Sequence, residues 1–286
     1  MTWLLFTLMF VVCQVAFLML FKHISRDTKS TGALVVAVQI IAAVSVLVLM
    51  PAFPIKFSTY WLTYVLMAVA YILYAVHDRV DAVTRKNLDI SVDTTIQQVY
   101  RLLFLATGIL FLHRSFRWLA LVGALIIVGA NMFLMFDKGK FRLNRYVFLK
   151  LLSVVAFTAA LTIESSRSGE FNLPFFVFMS FAVPATYLLI AQQATPKTLI
   201  AEIRRPVWPL ILTCGVVQGL SAFAFLRALQ FGQYFVEVSA ISAVYVILAV
   251  VLAFVFLKER EHRVKKIVAG VLVVCGLVMI ALARLL

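Results

Sequence analysis

The chain is poor in charged residues, and above all in acidic ones. Only 13% of its 286 residues are charged, with 12 Asp and Glu against 26 Lys and Arg, whereas 64% are hydrophobic. A soluble domain carries about 25% charged residues, which cover its surface. A water-soluble globular protein is therefore excluded, and the mean hydropathy of +1.05 indicates a multi-pass membrane protein.

Cysteine and catalytic motifs are also scarce. Cys13, Cys214 and Cys275 lie far apart inside apolar runs, which is not the spacing of a metal site or a disulfide framework. The sequence contains no Walker-type glycine loop, no cluster of His, Asp and Glu and no nucleophile elbow. ATP-driven transport by this chain alone is disfavoured, and membrane enzyme chemistry has no candidate site. We expect a protein that is not an enzyme and that binds no cofactor or metal.

The basic residues occur in short clusters between apolar runs rather than along one surface. They indicate contacts with lipid headgroups and membrane topology, not nucleic acid binding. The connections on one side of the predicted bundle carry 19 Lys and Arg, and those on the other side carry 6. This bias favours both termini outside the cytoplasm. We expect membrane lipids and a small molecule as partners, in the plasma (inner) membrane, while the sequence defines no oligomeric state.

Apolar runs of about 20 residues, the length of a membrane-spanning helix, are what the chain has in abundance. About ten of them, joined by short connections, predict an all-α polytopic membrane protein with no soluble domain. The longest connection, residues 77–89, is charged and predicts a solvated loop that includes His77 and Asp78, and Glu164 is predicted at a solvated helix end. The predicted spans are 3–21, 31–51, 59–77, 90–112, 117–136, 146–164, 173–193, 207–228, 234–257 and 265–284.

The chain also repeats itself at an offset of 145 residues. Each half is therefore predicted to be a five-helix unit, residues 1–140 and 141–286. Because five is odd, the halves enter the membrane from opposite sides, as in many secondary transporters whose substrate site lies near the midplane. The aligned pairs include Ile96 with Ile241, Val99 with Val244, Tyr100 with Tyr245 and Leu103 with Leu248, then, after a two-residue gap, Gly123 with Gly270 and Gly129 with Gly276.

The segment 241–282 contains Phe-Leu-Lys-Glu-Arg at 256–260, followed by a helix with Gly270 and Gly276. It resembles the end of an EamA-type repeat of the drug/metabolite transporter (DMT) superfamily, with Lys258 where the family glycine usually stands. The first half has Leu-His-Arg-Ser at 112–115 and no glutamate there. The resemblance implies ten helices in two inverted five-helix repeats around a central cavity that moves a small molecule by alternating access. It also implies cytoplasmic termini, in conflict with the loop charges.

Ionisable side chains inside spanning helices are candidates for a functional site. Arg101 lies about halfway through the predicted helix 90–112, with Gln98, Gln97 and Thr94 on the same face. A guanidinium there can bind the carboxylate or phosphate of a substrate with two hydrogen bonds. The alternative is an internal ion pair with an acid such as Glu237, which would hold two helices together.

Three roles fit Glu237: carrying a coupling proton, binding a substrate amine, or lying as a carboxylate at the membrane interface. Tyr100 and Tyr245 are related by the repeat and amphipathic enough to line a wet pocket, with plain helix packing as the alternative. The predicted substrate-binding residues are Arg101, Gln97, Gln98, Tyr100, Tyr245, Glu237, Tyr234 and Ser242.

The sequence thus predicts a secondary transporter that exports a small anionic or zwitterionic metabolite, amino-acid-like or phosphorylated. A flippase for a lipid-linked headgroup and a non-transporting scaffold or receptor stay open as alternatives. The first helix contains no carboxylate, unlike the small multidrug exporters of the same superfamily, which argues against a proton-coupled exporter of hydrophobic cations. Val246 stands opposite Arg101 in the repeat alignment, so the charge is present in one copy only.

Overall fold

The computed structural model describes residues 2–25, 28, 30–87, 90–113, 117–135, 145–191, 195–256 and 263–285. All regular structure in these ranges is helical, with 3-10 turns at Met50–Ala52, Ser168–Glu170 and Gly232–Tyr234. The α-helices are α1 (Thr2–Ser25), α2 (Thr31–Leu47), α3 (Trp61–Asn87), α4 (Ile90–Leu110), α5 (Trp118–Met135), α6 (Arg145–Arg167), α7 (Leu173–Ile190), α8 (Pro196–Ile203), α9 (Trp208–Leu229), α10 (Phe235–Phe256) and α11 (Arg263–Leu285).

Every helix except α8 overlaps one predicted span. Within the described ranges, α1, α3, α6, α7 and α9 are long and apolar enough to cross a membrane, and the other long helices contain shorter apolar stretches. The all-helical membrane architecture is therefore confirmed, whereas the number of ten transmembrane helices stays a prediction. The short helix α8 was not predicted. It begins at a capping box formed by Thr195 and Thr198, with Pro196 in its first turn.

The predicted solvated loop at 77–89 is wrong over most of its length, because α3 continues to Asn87. His77 and Asp81 are only 7% and 6% exposed. Both side chains meet polar partners on α6, so the charges are buried against another helix rather than hydrated. The sequence of α3 alone gives no sign of these partners.

Two further polar residues are buried, contrary to the prediction from sequence. Lys150 belongs to the count of loop cations, but it lies inside α6 with no exposed surface. Without it the basic residues number 18 against 6, so the direction of the bias is unchanged. Glu164, predicted at a solvated helix end, is 5% exposed because the last turns of α6 pack between α3 and α7.

Helix packing follows a paired pattern. α3 packs along α6 as α9 packs along α1, and α4 packs on α6 as α10 packs on α1. α5 and α11 pack against each other. This pattern fits a correspondence of α1 to α5 with α6, α7, α9, α10 and α11, in which α8 is an addition. The division into two repeats at residue 140 stays a prediction.

The start of α7 lies at one end of the bundle, which we call the Asn172 end. The side-chain amide of Asn172 donates to the carbonyls of Met50, Phe53 and Pro54 at 3.3, 3.1 and 3.2 Å, and its oxygen caps α7 by accepting from the Phe175 N–H at 3.1 Å. These bonds tie the 48–60 connection to the start of α7. The opposite end carries α8 and is called the α8 end.

Glu170 lies at the Asn172 end, in the 3-10 turn that follows α6. Partial burial acts to raise the pKa of its carboxyl, but hydrogen bonds from Ser58, Arg167 and Thr63 outweigh this effect and hold the pKa below its usual value. The carboxylate is therefore ionised at neutral pH and links the 48–60 connection, α3 and α6.

α5 and α11 approach each other closely at Gly123 and Gly276. A Cβ on Gly276 would lie 2.6 Å from Ile127 Cγ1 and 2.7 Å from the Gly123 carbonyl oxygen. We expect Gly276→Ala to lower the free energy of unfolding by about 1–3 kcal/mol, because the helices must separate to admit the methyl group. The thermal unfolding midpoint in detergent measures this. Gly129→Ala, whose Cβ meets nothing within 4 Å, is the matched control, and equal losses in the two variants would contradict the close contact.

Candidate functional site

Arg101 lies in the middle of α4 with 4% of its surface exposed. Its Nε donates to Oε1 of Gln98 at 3.3 Å, and its Nη1 donates to the hydroxyl of Ser242 on α10 at 3.1 Å. The Ser242 hydroxyl donates in turn to the carbonyl of Ser239 at 2.7 Å. The guanidinium therefore joins α4 to α10, one helix from each half of the chain.

Two tyrosine rings flank this guanidinium. The Cζ atom of Arg101 lies 4.9 Å from the ring centroid of Tyr100 and 5.0 Å from that of Tyr245. Both distances are within the range of cation–π attraction, which stabilises a charge in apolar surroundings. The repeat-related tyrosines thus meet around the one buried arginine of α4, a convergence that plain packing of each tyrosine within its own half does not require.

The same region contains buried polar atoms without a partner among the described residues. They are Nη2 of Arg101, Oε1 of Gln97 and Oγ of Ser239. Leaving a buried donor or acceptor unsatisfied costs about 1–3 kcal/mol, and more for a charged group. Such groups in a membrane protein typically face a wet cavity or a ligand. Thr94, predicted on the same stripe, lies outside the described side chains.

Glu237 does not neutralise this arginine. It lies in the first turn of α10 and is 6% exposed, five residues before Ser242. The ion pairs between described residues do not include one between Glu237 and Arg101. Tyr234 is also held elsewhere, since its ring stacks on Trp3 with the centroids 4.7 Å apart. The structure therefore brings six of the predicted residues toward one another and places Tyr234 and Glu237 at the start of α10.

Asn131 is a residue of this region that the sequence analysis missed. It is fully buried in α5, and its Nδ2 donates to the carbonyl of Ala243 at 3.0 Å, next to Ser242. Its Oδ1 has no partner among the described residues. The signal was present in the sequence, because Asn131 is a lone amide in the apolar run 118–135 and aligns with Val278 in the repeat.

These features define the class of protein. The chain is an integral multi-pass membrane protein with a buried polar site between helices, an organisation that secondary transporters share.

Sequence comparison finds one family match, in the second half of the chain. Residues 144–282 match the sequence model of the EamA-like transporter family. The match confirms the resemblance to EamA-type transporters and suggests a membrane transporter of the DMT type.

Comparison with solved structures agrees at the level of the fold. One of them, described only as "Crystal structure of protein", is 13% identical and aligns with a TM-score of 0.74 over 98% of this chain and 96% of its own. At that identity the likeness shows the fold alone. No curated protein sequence matches the chain.

Proposed function

We propose that the chain is a secondary transporter that exports a small anionic or zwitterionic metabolite by alternating access between two inverted five-helix repeats. The observation that carries this proposal is the buried guanidinium of Arg101, which has an unpaired Nη2 and contacts two tyrosine rings. An uncompensated cation in this position is costly for the empty protein, and an anionic substrate removes that cost.

The unpaired atoms indicate which groups a substrate would present. Nη2 of Arg101 and the Ser239 hydroxyl are donors that suit a carboxylate or phosphate oxygen. The Gln97 and Asn131 side-chain oxygens are acceptors that suit an ammonium group. Donors and acceptors on adjoining helices favour a zwitterion of amino-acid type over a purely anionic compound.

The arrangement of the helices supports alternating access. The site is made by α4 and α10, and α10 packs on α1 as α4 packs on α6. If the two halves rock against each other, α4 and α10 separate on one side of the membrane and close on the other. In this proposal both termini lie outside the cytoplasm, as the loop charges favour. The 257–262 connection would then face the cytoplasm. Labelling, from outside the cell, of a cysteine introduced there tests this topology.

A liposome assay with purified protein tests the function. A panel of labelled amino acids, phosphorylated metabolites and organic cations is screened for uptake and for a rise in the thermal unfolding midpoint. We expect zwitterionic or anionic compounds to be taken up and to raise the unfolding midpoint. At a concentration of one hundred times the dissociation constant, the stabilisation should be about 2.7 kcal/mol. Stabilisation without uptake would indicate a receptor, and the absence of both effects would indicate a scaffold. Flux of lipid-linked compounds alone would indicate a flippase.

A further inference from the structure

A second row of buried polar side chains lies between α3 and α6. Tyr74, His77 and Asp81 are spaced by three and four residues, so they share one face of α3. Each of them meets a polar side chain of α6. The Tyr74 hydroxyl donates to Oε2 of Glu164 at 2.6 Å, Nδ1 of His77 lies 2.7 Å from Oγ of Ser153, and Lys150 forms an ion pair with Asp81.

Glu164 is the unusual member of this row. Its carboxyl is held by two neutral hydroxyls, Tyr74 on Oε2 and Ser180 of α7 on Oε1. The ion pairs between described residues do not include one to Glu164. An ionised carboxylate buried with hydroxyl partners alone is costly inside a membrane protein, whereas the protonated acid is not.

The Ser180 hydroxyl provides a geometric reason for a proton on this carboxyl. Its oxygen lies within hydrogen-bond distance of Glu164 Oε1 and, at 3.0 Å, of the Phe176 carbonyl. A hydroxyl has one proton to donate and the carbonyl can only accept. Both contacts are satisfied when Ser180 donates to Phe176 and Glu164 donates its own proton to Ser180.

The groups around Glu164 leave its charge uncompensated. α3 contributes Tyr71, Tyr74, His77 and Asp78, and the Asp78 carboxylate accepts from the amide of Gln39 on α2 at 3.2 Å. α4 presents the Tyr100 ring to Phe157, and α7 contributes the Ser180 hydroxyl. On α6 and the turn after it, Lys150 is paired with Asp81 and Arg167 with Glu170.

The corresponding helix contact, between α1 and α9, carries no such acid. α9 packs along α1 as α3 packs along α6, and the side-chain hydrogen bond described between them joins Ser221 to Gln14 at 2.9 Å. The packing is therefore achieved with a neutral pair in one of the two related contacts. The titratable row is present only in the α3–α6 contact, just as Arg101 is present in only one of the two repeat-related helices.

We propose that Glu164 is the proton-binding site of the transport cycle. Its carboxylate takes one proton from water on one side of the membrane, becomes a neutral acid, and returns the proton to water on the other side after access has changed. Glu164 and Lys150 are 14 positions apart on α6, so the row spans about 21 Å, from near the Asn172 end toward the α8 end. The inference rests on the proposed function, because it supplies the coupling ion of that cycle.

Infrared difference spectroscopy tests the site without any substrate. Wild-type protein, Glu164→Gln and the control Glu202→Gln are compared across a change in pH. Glu202 is a buried carboxylate too, but it is paired with Arg205. We expect a protonated-carboxyl C=O band in the wild type and in Glu202→Gln that is missing from Glu164→Gln. Tyr74→Phe keeps the carboxyl and should shift the band. An unchanged band in Glu164→Gln overturns the proposal.

Flux measurements test the coupling. For a cycle that moves one proton, a gradient of about one pH unit sustains about tenfold accumulation of a transported compound from the liposome panel. We expect that ratio to fall to about one in Glu164→Gln, with a smaller loss of substrate exchange, and to persist in Glu202→Gln. Tenfold accumulation by Glu164→Gln would refute the coupling role. If no compound is transported by the wild type, the proposed function fails and the infrared band alone decides whether Glu164 binds the proton.

Discussion

Arg101→Leu is expected to abolish transport while leaving the protein at least as stable as the wild type. Removing one partner of a buried charge pair costs about 2–5 kcal/mol, so loss of the substrate's partner should reduce flux by about 30-fold or more. Stability should not fall in parallel, because Leu removes a buried guanidinium whose Nη2 is unpaired in the described structure. Liposome flux and the thermal unfolding midpoint measure the two effects separately.

A matched arginine serves as the control. Arg227 in α9 also lies over two aromatic rings, 5.7 Å from Phe53 and 5.5 Å from Phe231, and also has a buried unpaired nitrogen, Nε. It lies at the Asn172 end, where it donates to Gln230 at 2.7 Å. Arg227→Leu should leave flux close to that of the wild type, because this arginine lies outside the α4–α10 site. If Arg101→Leu behaves in the same way, Arg101 is a structural residue.

Arg101→Lys separates charge from geometry. A lysine keeps the positive charge but cannot offer two parallel N–H groups to one carboxylate or phosphate. We therefore expect flux between those of the wild type and Arg101→Leu. This intermediate value would identify bidentate binding as part of the substrate contact.

The Arg101 region could be predicted from sequence because its signals are local. Gln97, Gln98 and Arg101 share a face of one helix, and an internal alignment finds Tyr245 as the counterpart of Tyr100. Hydrophobic periodicity and run length likewise predict an all-helical membrane protein. These features depend on spacing along the chain, which a single sequence records.

The α3–α6 row could not be predicted because it depends on pairing between helices. Asp81 and His77 lie in a charged stretch whose composition predicts a solvated loop. No nearby residue indicates their partners Lys150 and Ser153, which lie about 70 residues away in the sequence. The charges at the end of α3 become compatible with burial only when α6 supplies their partners. The predicted helix boundary at residue 77 failed for that reason.

The ion pair between Asp81 and Lys150 gives the largest expected effect on stability. Lys150 is fully buried and Asp81 is 6% exposed. Replacing either one alone, as Asp81→Leu or Lys150→Met, leaves a buried charge without its partner and should cost about 3–5 kcal/mol. The double variant, whose side chains are both apolar, should recover most of that loss or exceed the wild type. Unfolding in detergent across the four proteins gives the coupling energy.

The Glu202 and Arg205 pair provides the comparison, because its arginine side chain is 15% exposed and water reaches it. Glu202→Leu, which leaves Arg205 partly hydrated, should cost less than Asp81→Leu, which leaves the fully buried Lys150 without its counter-ion. Losses below about 1 kcal/mol for both Asp81→Leu and Lys150→Met would mean that water enters the α3–α6 contact. Because Glu164 lies about 21 Å along α6 from Lys150, that result would concern the α8 end of the contact alone. The double-variant cycle therefore tests whether this end of the α3–α6 contact excludes water.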